Sequence, residues 1–276
     1  MPFRLLMDGV PLAMQVPEIF LPGERASGIA HRGSRLLWPE NTAVAFQGAA
    51  GFGYRRFETD VRVSADGVLL CYHDPVLSRT TNGHGRVAET TFEDIRRLDA
   101  GYRHRLDGEF PYRGQGIVVP TFAEMAALFS EAGWVVDLKA DGTEEPLAAA
   151  IEEFGLADRV IVGSFSTERI ERFRRLTFGK VATSTPPAET FRAVMAASGP
   201  RFSSAARGVF HPTTCALQVP ATWYGVPIVS AALVALAHSA GRLVHVWTVN
   251  GLTEVTALTG LGVDGLITDR PDLVAP

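Results

Sequence analysis

Residues 134–164 read WVVDLKADGTEEPLAAAIEEFGLADRVIVGS. The two ends, WVVDLK at 134–139 and RVIVGS at 159–164, are short β-rich runs, and the TEEPLAAAIEEF between them has the composition and spacing of a helix. A strand, a helix and a strand in that order imply parallel strands joined by a helical crossover. The same alternation extends both ways along the chain. Further strands are predicted at GIAH (28–31), RRFETDVRV (55–63), GVLLCYH (67–73), KVATS (180–184), CALQV (215–219) and LVHVWTV (243–249), with helical segments such as TAVAFQGAA and TERIERFRRL between them. Eight strand candidates point to an α/β fold closed as a TIM (β/α)8 barrel rather than an open sheet.

Two stretches lie outside the rhythm. Residues 1–27 read as an irregular leader, so the barrel is expected over 28–276. After the third strand, a segment of about 75–120 carries the loop-like clusters TTNGHGR, AGYRHRLDGEF and PYRGQG with one short helix candidate, TFEDIRRL. That is too long for an ordinary connection and reads as a small insertion. It comes after a strand end, which in a barrel places it at the C-terminal face, where substrate sites are built.

Composition narrows the function classes. With 46% hydrophobic residues the chain can bury a substantial core, and a net charge of −4 gives no basic stripe, so no nucleic-acid partner is expected. A small anionic substrate is compatible with that balance, because a local basic site can hold a phosphate. Cys71 and Cys215 cannot build a disulfide framework or a zinc cluster and read as buried thiols. The first twenty residues interrupt their apolar run with Asp8, Gly9 and Pro11 and resemble neither a signal peptide nor a membrane span. No transmembrane segment and a cytoplasmic location are therefore expected. No glycine-rich phosphate loop precedes a helix, so no nucleotide is expected.

The chemistry sits at strand ends. Glu58 and Asp60 are two apart on one strand, so both carboxylates project to one side, while Phe57 and Thr59 face the helical layer. Two acids crowded together repel and are tolerated mainly when protonated or bound to a cation; solvation at a strand end is the competing reading. His73 terminates GVLLCYH and His31 terminates GIAH, and two strand-end imidazoles can act as an acid/base pair near neutral pH. Arg32, beside His31, offers a fork suited to phosphate oxygens. Asp137 and Lys139 again share one face; the carboxylate could join Glu58 and Asp60 around Mg2+ or Ca2+, and the lysine could hold a phosphate oxygen. The alternative for that pair is an inward ion pair that fills the barrel. Together these strand ends describe cleavage of a phosphodiester.

Longer motifs are more specific. IAHRGSRLLWPENTAVAF resembles the opening signature of the glycerophosphodiester phosphodiesterase family, HRG followed by PENT. FETDVRVSADGVLLCYHDPVLSRTTNGHG resembles its next block, with ExD and HD, and VHVWTVN and GVDGLITDRPD resemble its closing strands. The resemblance spans roughly residues 28–273 and implies a TIM barrel with an insertion after the HD strand. It implies that His31 and His73 are the acid/base pair, that Glu58, Asp60 and Asp137 bind one divalent cation, and that Arg32 and Lys139 hold the phosphate. Trp247 would form an apolar wall of the pocket, and Glu40 and Asn41 would shape the site or cap the first helix. One departure stands out: the third ligand commonly belongs to a Glu-x-Lys motif, and here Asp137 replaces the glutamate. The sphingomyelinase D group resembles this pattern in using aspartate.

The activity so implied is hydrolysis of a small-molecule glycerophosphodiester to sn-glycerol 3-phosphate and an alcohol. A lysophospholipase D-like or sphingomyelinase D-like enzyme acting on a lysolipid is the alternative, and a non-catalytic phosphodiester-binding barrel is a third. Other histidines carry less: His84 and His104 read as loop residues, His238 as a helix surface residue, His245 as structure one layer below Trp247, and His211 lacks an identifiable partner.

Overall fold

The structure, a computed structural model, describes residues 14–23, 26–198 and 208–276. Its strands are β1 (Ser27–His31), β2 (Arg56–Val63), β3 (Leu69–Cys71), β4 (Gly133–Leu138), β5 (Val160–Gly163), β6 (Ala182–Ser184), β7 (Thr214–Pro220), β8 (Thr222–Trp223), β9 (Val226–Pro227), β10 (Leu243–Trp247) and β11 (Gly265–Thr268). Its helices are α1 (Ala43–Gly51), α2 (Phe92–Arg96), α3 (Phe122–Leu128), α4 (Glu144–Glu153), α5 (Thr167–Leu176), α6 (Pro187–Ala197), α7 (Ala231–Ser239) and α8 (Leu252–Gly260).

Eight of the strands close a parallel barrel in the order β1, β2, β4, β5, β6, β7, β10, β11. Closure is made where β1 pairs with β11, Gly28 beside Leu266, and with β2, His31 beside Glu58. The expected barrel is thus present, with one stave exchanged. GVLLCYH has the composition of a stave, but β3 runs antiparallel to β2, with Val61 opposite Cys71, and stands outside the barrel. The physical reason is the connection: Ser64 to Val68 is a hairpin turn, closed by Ser64 N–H donating to Val68 O at 3.0 Å, with Gly67 at φ 81°. Five residues cannot carry a crossover, which needs a dozen or more. The eighth stave is β11, a four-residue strand.

The helical layer packs on the outward faces, as the alternation in RRFETDVRV requires. Phe57 meets Trp134 at 5.4 Å between ring centroids and Phe46 at 5.4 Å, and Phe46 meets Trp134 edge-on at 5.2 Å. Removing one such buried ring costs about 3–5 kcal/mol through lost burial and the cavity left behind. Side-chain caps fix where several helices start: Thr42 for α1, Ser166 for α5, Ser230 for α7, and a reciprocal Thr121/Glu124 box for α3. Cys71 and Cys215 are buried free thiols, as their apolar surroundings in the sequence suggest. Among the described residues no helix is long and apolar enough to cross a membrane.

The barrel interior is closed at its N-terminal end. The irregular leader contributes a 3-10 turn, Glu18–Phe20, and Phe20 is buried among Ile29, Val135, Ile161 and Ile267, its ring 6.1 Å from that of His245. Residues 1–13 and 24–25 of that leader lie outside the described residues. His245 itself is buried inside the barrel and takes a hydrogen bond from Gln218 Nε2 on Nδ1 at 3.3 Å. With the bottom filled, the open end is the C-terminal rim. The insertion packs beside that rim on its own small core, in which Leu70, Tyr72, Ile95 and Val119 are buried together.

Burial pushes the His245 imidazole down to about 4 from 6.5, so the folded protein holds it neutral. The unfolded chain protonates this residue as pH falls through 6.5, and the folded chain does not until about 4. Its contribution is therefore fully present above that window and lost across it, to an extent of about 3 kcal/mol. Urea unfolding at pH values spanning the window is expected to show a steeper loss of stability in the wild type than in His245→Gln; equal slopes would contradict this.

Candidate active site

The rim is built at the C-terminal ends of the strands. His31 ends β1 and Glu58 lies beside it on β2; Asp60 on β2 lies beside Asp137 on β4, and Lys139 comes immediately after β4. Parallel register therefore sets His31 beside Glu58 in one layer and Asp60 beside Asp137 in the next, and one cavity of about 580 Å3 is lined by all of these together with Lys139, Arg32, His73 and Trp247. Every residue expected to do chemistry or bind phosphate is in that one space.

The turn after β1 explains the HRG motif. Arg32, Gly33 and Ser34 have φ of 52°, 71° and 80°, and a Cβ on Gly33 would lie 2.7 Å from the Cβ of Ala45. Only glycine allows the turn to pack this closely on α1. The turn sends the Arg32 guanidinium back over the barrel, with Nε 3.0 Å from Asp60 Oδ2 and Nη1 3.0 Å from Glu40 Oε1, while its backbone N–H donates to Glu58 Oε2 at 3.0 Å.

Asp60 is the centre of the polar cluster. Its side chain is completely buried, accepts from Asn41 Nδ2 at 3.0 Å, and has Lys139 Nζ 3.0 Å from its other oxygen. Burial works against ionisation of Asp60, but Lys139 and Arg32 outweigh it and hold its pKa well below the usual carboxylate range. Glu58 goes the other way: burial and the neighbouring Asp60 charge push it up to about 7. Lys139 also contacts Asp137 Oδ2 at 2.5 Å; burial opposes its charge, yet Asp137 and Asp60 keep its pKa above the ordinary lysine value.

Each histidine has its own carboxylate. His31 Nδ1 lies 2.7 Å from Asp269 Oδ1, leaving Nε2 to face Glu58 Oε2 at 3.8 Å. Asp269 is fully buried and also accepts from Arg35 Nε at 3.0 Å and Asn250 Nδ2 at 3.2 Å. Burial would raise its pKa, but the His31 and Arg35 contacts lower it. His73 Nδ1 lies 2.5 Å from Asp74 Oδ1, and burial lowers the His73 pKa, which favours neutral imidazole at pH 7. A buried carboxylate on one ring nitrogen fixes the tautomer and frees the other nitrogen for proton transfer.

Glu40 and Asn41 do not line the cavity but support it. Glu40 pairs with Arg32 and with Arg79 of the insertion, at 2.6 and 2.8 Å to the latter, and Asn41, at φ 57°, joins Asp60 to the Thr59 hydroxyl. The capping role weighed for Glu40 and Asn41 belongs instead to Thr42, whose hydroxyl accepts from Ala45 N–H. Two residues of the site, Asp269 and Arg35, are not singled out by the sequence reading. The signal for Asp269 was in plain view, since it comes directly after β11 at the rim as His31 ends β1. Arg35 carries no comparable signal. Outside the site, His84 is exposed, His104 stacks edge-on with Tyr112, and His238 contacts Asp264. His211 does have a partner, the Thr213 hydroxyl at 2.8 Å.

The donor set suits a hard cation. Asp137 Oδ1 is buried without a hydrogen-bond partner, and Glu58 is disfavoured as an anion next to Asp60, a conflict that a positive ion relieves. Among the described residues, however, no three His, Cys, Asp or Glu side chains are gathered into a ready-made cage; the Lys139 ammonium stands between Asp60 and Asp137 instead.

Comparison with known proteins agrees with this geometry. The family model for the "Glycerophosphoryl diester phosphodiesterase family" matches residues 31–273. The "Probable glycerophosphodiester phosphodiesterase 2" of Mycobacterium tuberculosis is 35% identical over 248 residues, covering 89% of this chain and 88% of that protein. A glycerophosphodiester phosphodiesterase of Agrobacterium tumefaciens shares 25% identity and superposes with a TM-score of 0.72 over 91% of this chain and 99% of its own. An Oleispira antarctica phosphodiesterase, solved in complex with the product sn-glycerol-3-phosphate, shares 25% identity with a TM-score of 0.71, covering 93% of this chain and 96% of its own.

The Asp269 contact makes a spectroscopic prediction. Nitrogen NMR of the neutral His31 ring is expected to show the proton on Nδ1, and Asp269→Asn, which can present its NH2 to that atom, should shift population to the other tautomer. A wild-type ring protonated on Nε2 would contradict the assignment.

Proposed function

The chain belongs to the glycerophosphoryl diester phosphodiesterase family, and from that premise we propose that it hydrolyses glycerophosphodiesters to sn-glycerol 3-phosphate and an alcohol. The observation that carries this reading is the convergence of two carboxylate-backed histidines and two cationic side chains, Arg32 and Lys139, on one cavity. The product complex of the Oleispira antarctica phosphodiesterase supports the identity of the product.

The residues divide the work by charge. Arg32 and Lys139 bind the phosphate oxygens and stabilise the charge that accumulates as the nucleophile adds to phosphorus. One histidine takes the proton of the attacking oxygen; the other gives a proton to the leaving alcohol oxygen as its bond to phosphorus breaks. The proton balance is the same whether water attacks directly or the neighbouring glycerol hydroxyl first closes a cyclic phosphate. Glu58, Asp60 and Asp137 would hold one divalent cation, Mg2+ or Ca2+, which supplies charge neutralisation at the phosphate and lowers the cost of deprotonating a nearby hydroxyl. Asn41 and Glu40 keep Asp60 and Arg32 in place, so their contribution is to position the charges rather than to transfer protons.

The test is an assay for sn-glycerol 3-phosphate release from a panel of glycerophosphodiesters. His31→Ala and His73→Ala are each expected to lower kcat by roughly 10²–10⁴-fold, the range for loss of a general acid or base. Full activity in either variant overturns the proton-transfer roles, and binding of diesters without any turnover supports a non-catalytic barrel.

Metal dependence is tested separately. Chelation with EDTA is expected to abolish turnover and added Mg2+ or Ca2+ to restore it. Asp137→Glu, which restores the glutamate of the Glu-x-Lys motif and lengthens the side chain by one methylene, is expected to change the metal concentration needed for half-maximal activity. An enzyme indifferent to chelation would remove the cation from the mechanism.

A further inference from the structure

The cavity at the barrel mouth has two chemically different halves. All of its charged lining, from His31 round to Lys139, comes from β1, β2, β4 and the segments that come after them. Among the described residues the opposite side, from Ser164 round to Thr248, contains no ionisable side chain; Ser184, Thr185, Thr190 and Gln218 also line it, and its apolar wall is made by Phe165, Phe191, Val194, Trp223, Ile228 and Trp247. Phe165, Phe191 and Trp223 are 61%, 67% and 51% exposed, so three large rings stand open to solvent around a single space. Apolar patches of this kind persist on a protein surface mainly where a ligand or partner covers them.

The two halves are joined. Phe165 stands at the junction, with Lys139 Nζ 5.2 Å from its ring centroid and the Trp247 ring edge-on at 5.7 Å. The far edge is formed by the β8–β9 hairpin, which carries Trp223, and by α6, which carries Phe191 and Val194. A diester held at its phosphate by Arg32 and Lys139 has two arms. The glycerol arm belongs with the carboxylates and imidazoles, which can satisfy its hydroxyls. The other arm has only the uncharged wall to lie on.

We propose that this wall is a subsite for a hydrocarbon chain on the leaving alcohol, so that the favoured substrates are glycerophosphodiesters whose alcohol carries an alkyl or acyl chain. The inference rests on the phosphodiesterase reading, which supplies the position of the phosphate. A choline-binding aromatic cage is the nearest competitor, since aromatic faces also attract quaternary ammonium groups. The wall argues against it: the rings are interleaved with Val194 and Ile228, and among the described residues no carboxylate lines this side of the cavity.

The experiment uses glycerol phosphate diesters of unbranched alcohols of increasing length, kept below micelle-forming concentrations, with glycerophosphocholine alongside. Both kcat/KM and the calorimetric Kd are measured. Each added methylene is expected to improve both by about three- to fourfold until the chain passes the rim, the factor for burying one such group. Phe191→Ser and Trp223→Ser, both at exposed positions, should reduce the preference for the longest over the shortest diester by roughly tenfold or more, as two to three buried methylenes would. A flat chain-length series with retained turnover, or a choline diester preferred over the long-chain diesters, overturns the subsite and leaves the hydrolytic reading standing. Chain-length-dependent binding without turnover supports the subsite and overturns the hydrolytic reading.

Discussion

Asp60 is a carboxylate with no exposure to solvent, and an isolated charge in that place would cost many times what one contact can return. It is kept ionised by three groups from three parts of the chain: the Arg32 guanidinium from the turn after β1, the Asn41 amide from the PENT segment, and the Lys139 ammonium after β4. Two of them reach it through unusual backbone. Arg32 and Asn41 both have positive φ, which non-glycine residues adopt only when the surroundings over-determine it. The close approach of Gly33 to α1, the Glu40 bridge to Arg79 and the pairing of β2 with β4 all serve to bring those groups to one buried oxygen pair.

The same constraint gives the mouth its chemistry. Burial, with the charge on Asp60 beside it, leaves Glu58 with a pKa close to neutral pH, and the pair becomes a place where a positive ion would be welcome. Because Arg32 and Lys139 must stand over Asp60, they also stand at the cavity, where a phosphate would meet them. Each histidine is oriented by its own carboxylate, Asp269 for His31 and Asp74 for His73. Barrel closure supplies the frame: Phe20 and His245 fill the lower end, and the polar residues of the candidate site are gathered at the upper.

Much of this was legible in the sequence because strand ends announce themselves. A polar residue that terminates an apolar run, as His31, Asp137 and His73 do, is conspicuous against its neighbours, and the alternation in FETD assigns faces without further information. GLIT, the stave β11, is only four residues long and is absent from the eight candidates, while GVLLCYH looks more like a stave than it is. Hairpin and crossover differ in the length of the connection, and the five residues from Ser64 to Val68 held that information. Asp269, directly after β11, was passed over with that strand although its place at a strand end is as visible as that of His31. The apolar wall was illegible for a different cause: Phe165, Phe191 and Trp223 belong to a loop, a helix and a hairpin, and only the closed barrel brings them to one side of one cavity.

The central claim is that the charges gathered around Asp60 form a phosphate site flanked by two proton-transferring histidines. A crystal structure of the protein with sn-glycerol 3-phosphate measures this directly. The claim requires the phosphate within hydrogen-bonding distance of Arg32 and Lys139, with both imidazoles facing its oxygens. A phosphate bound elsewhere on the rim, with Arg32 and Lys139 still turned onto Asp60, would contradict it.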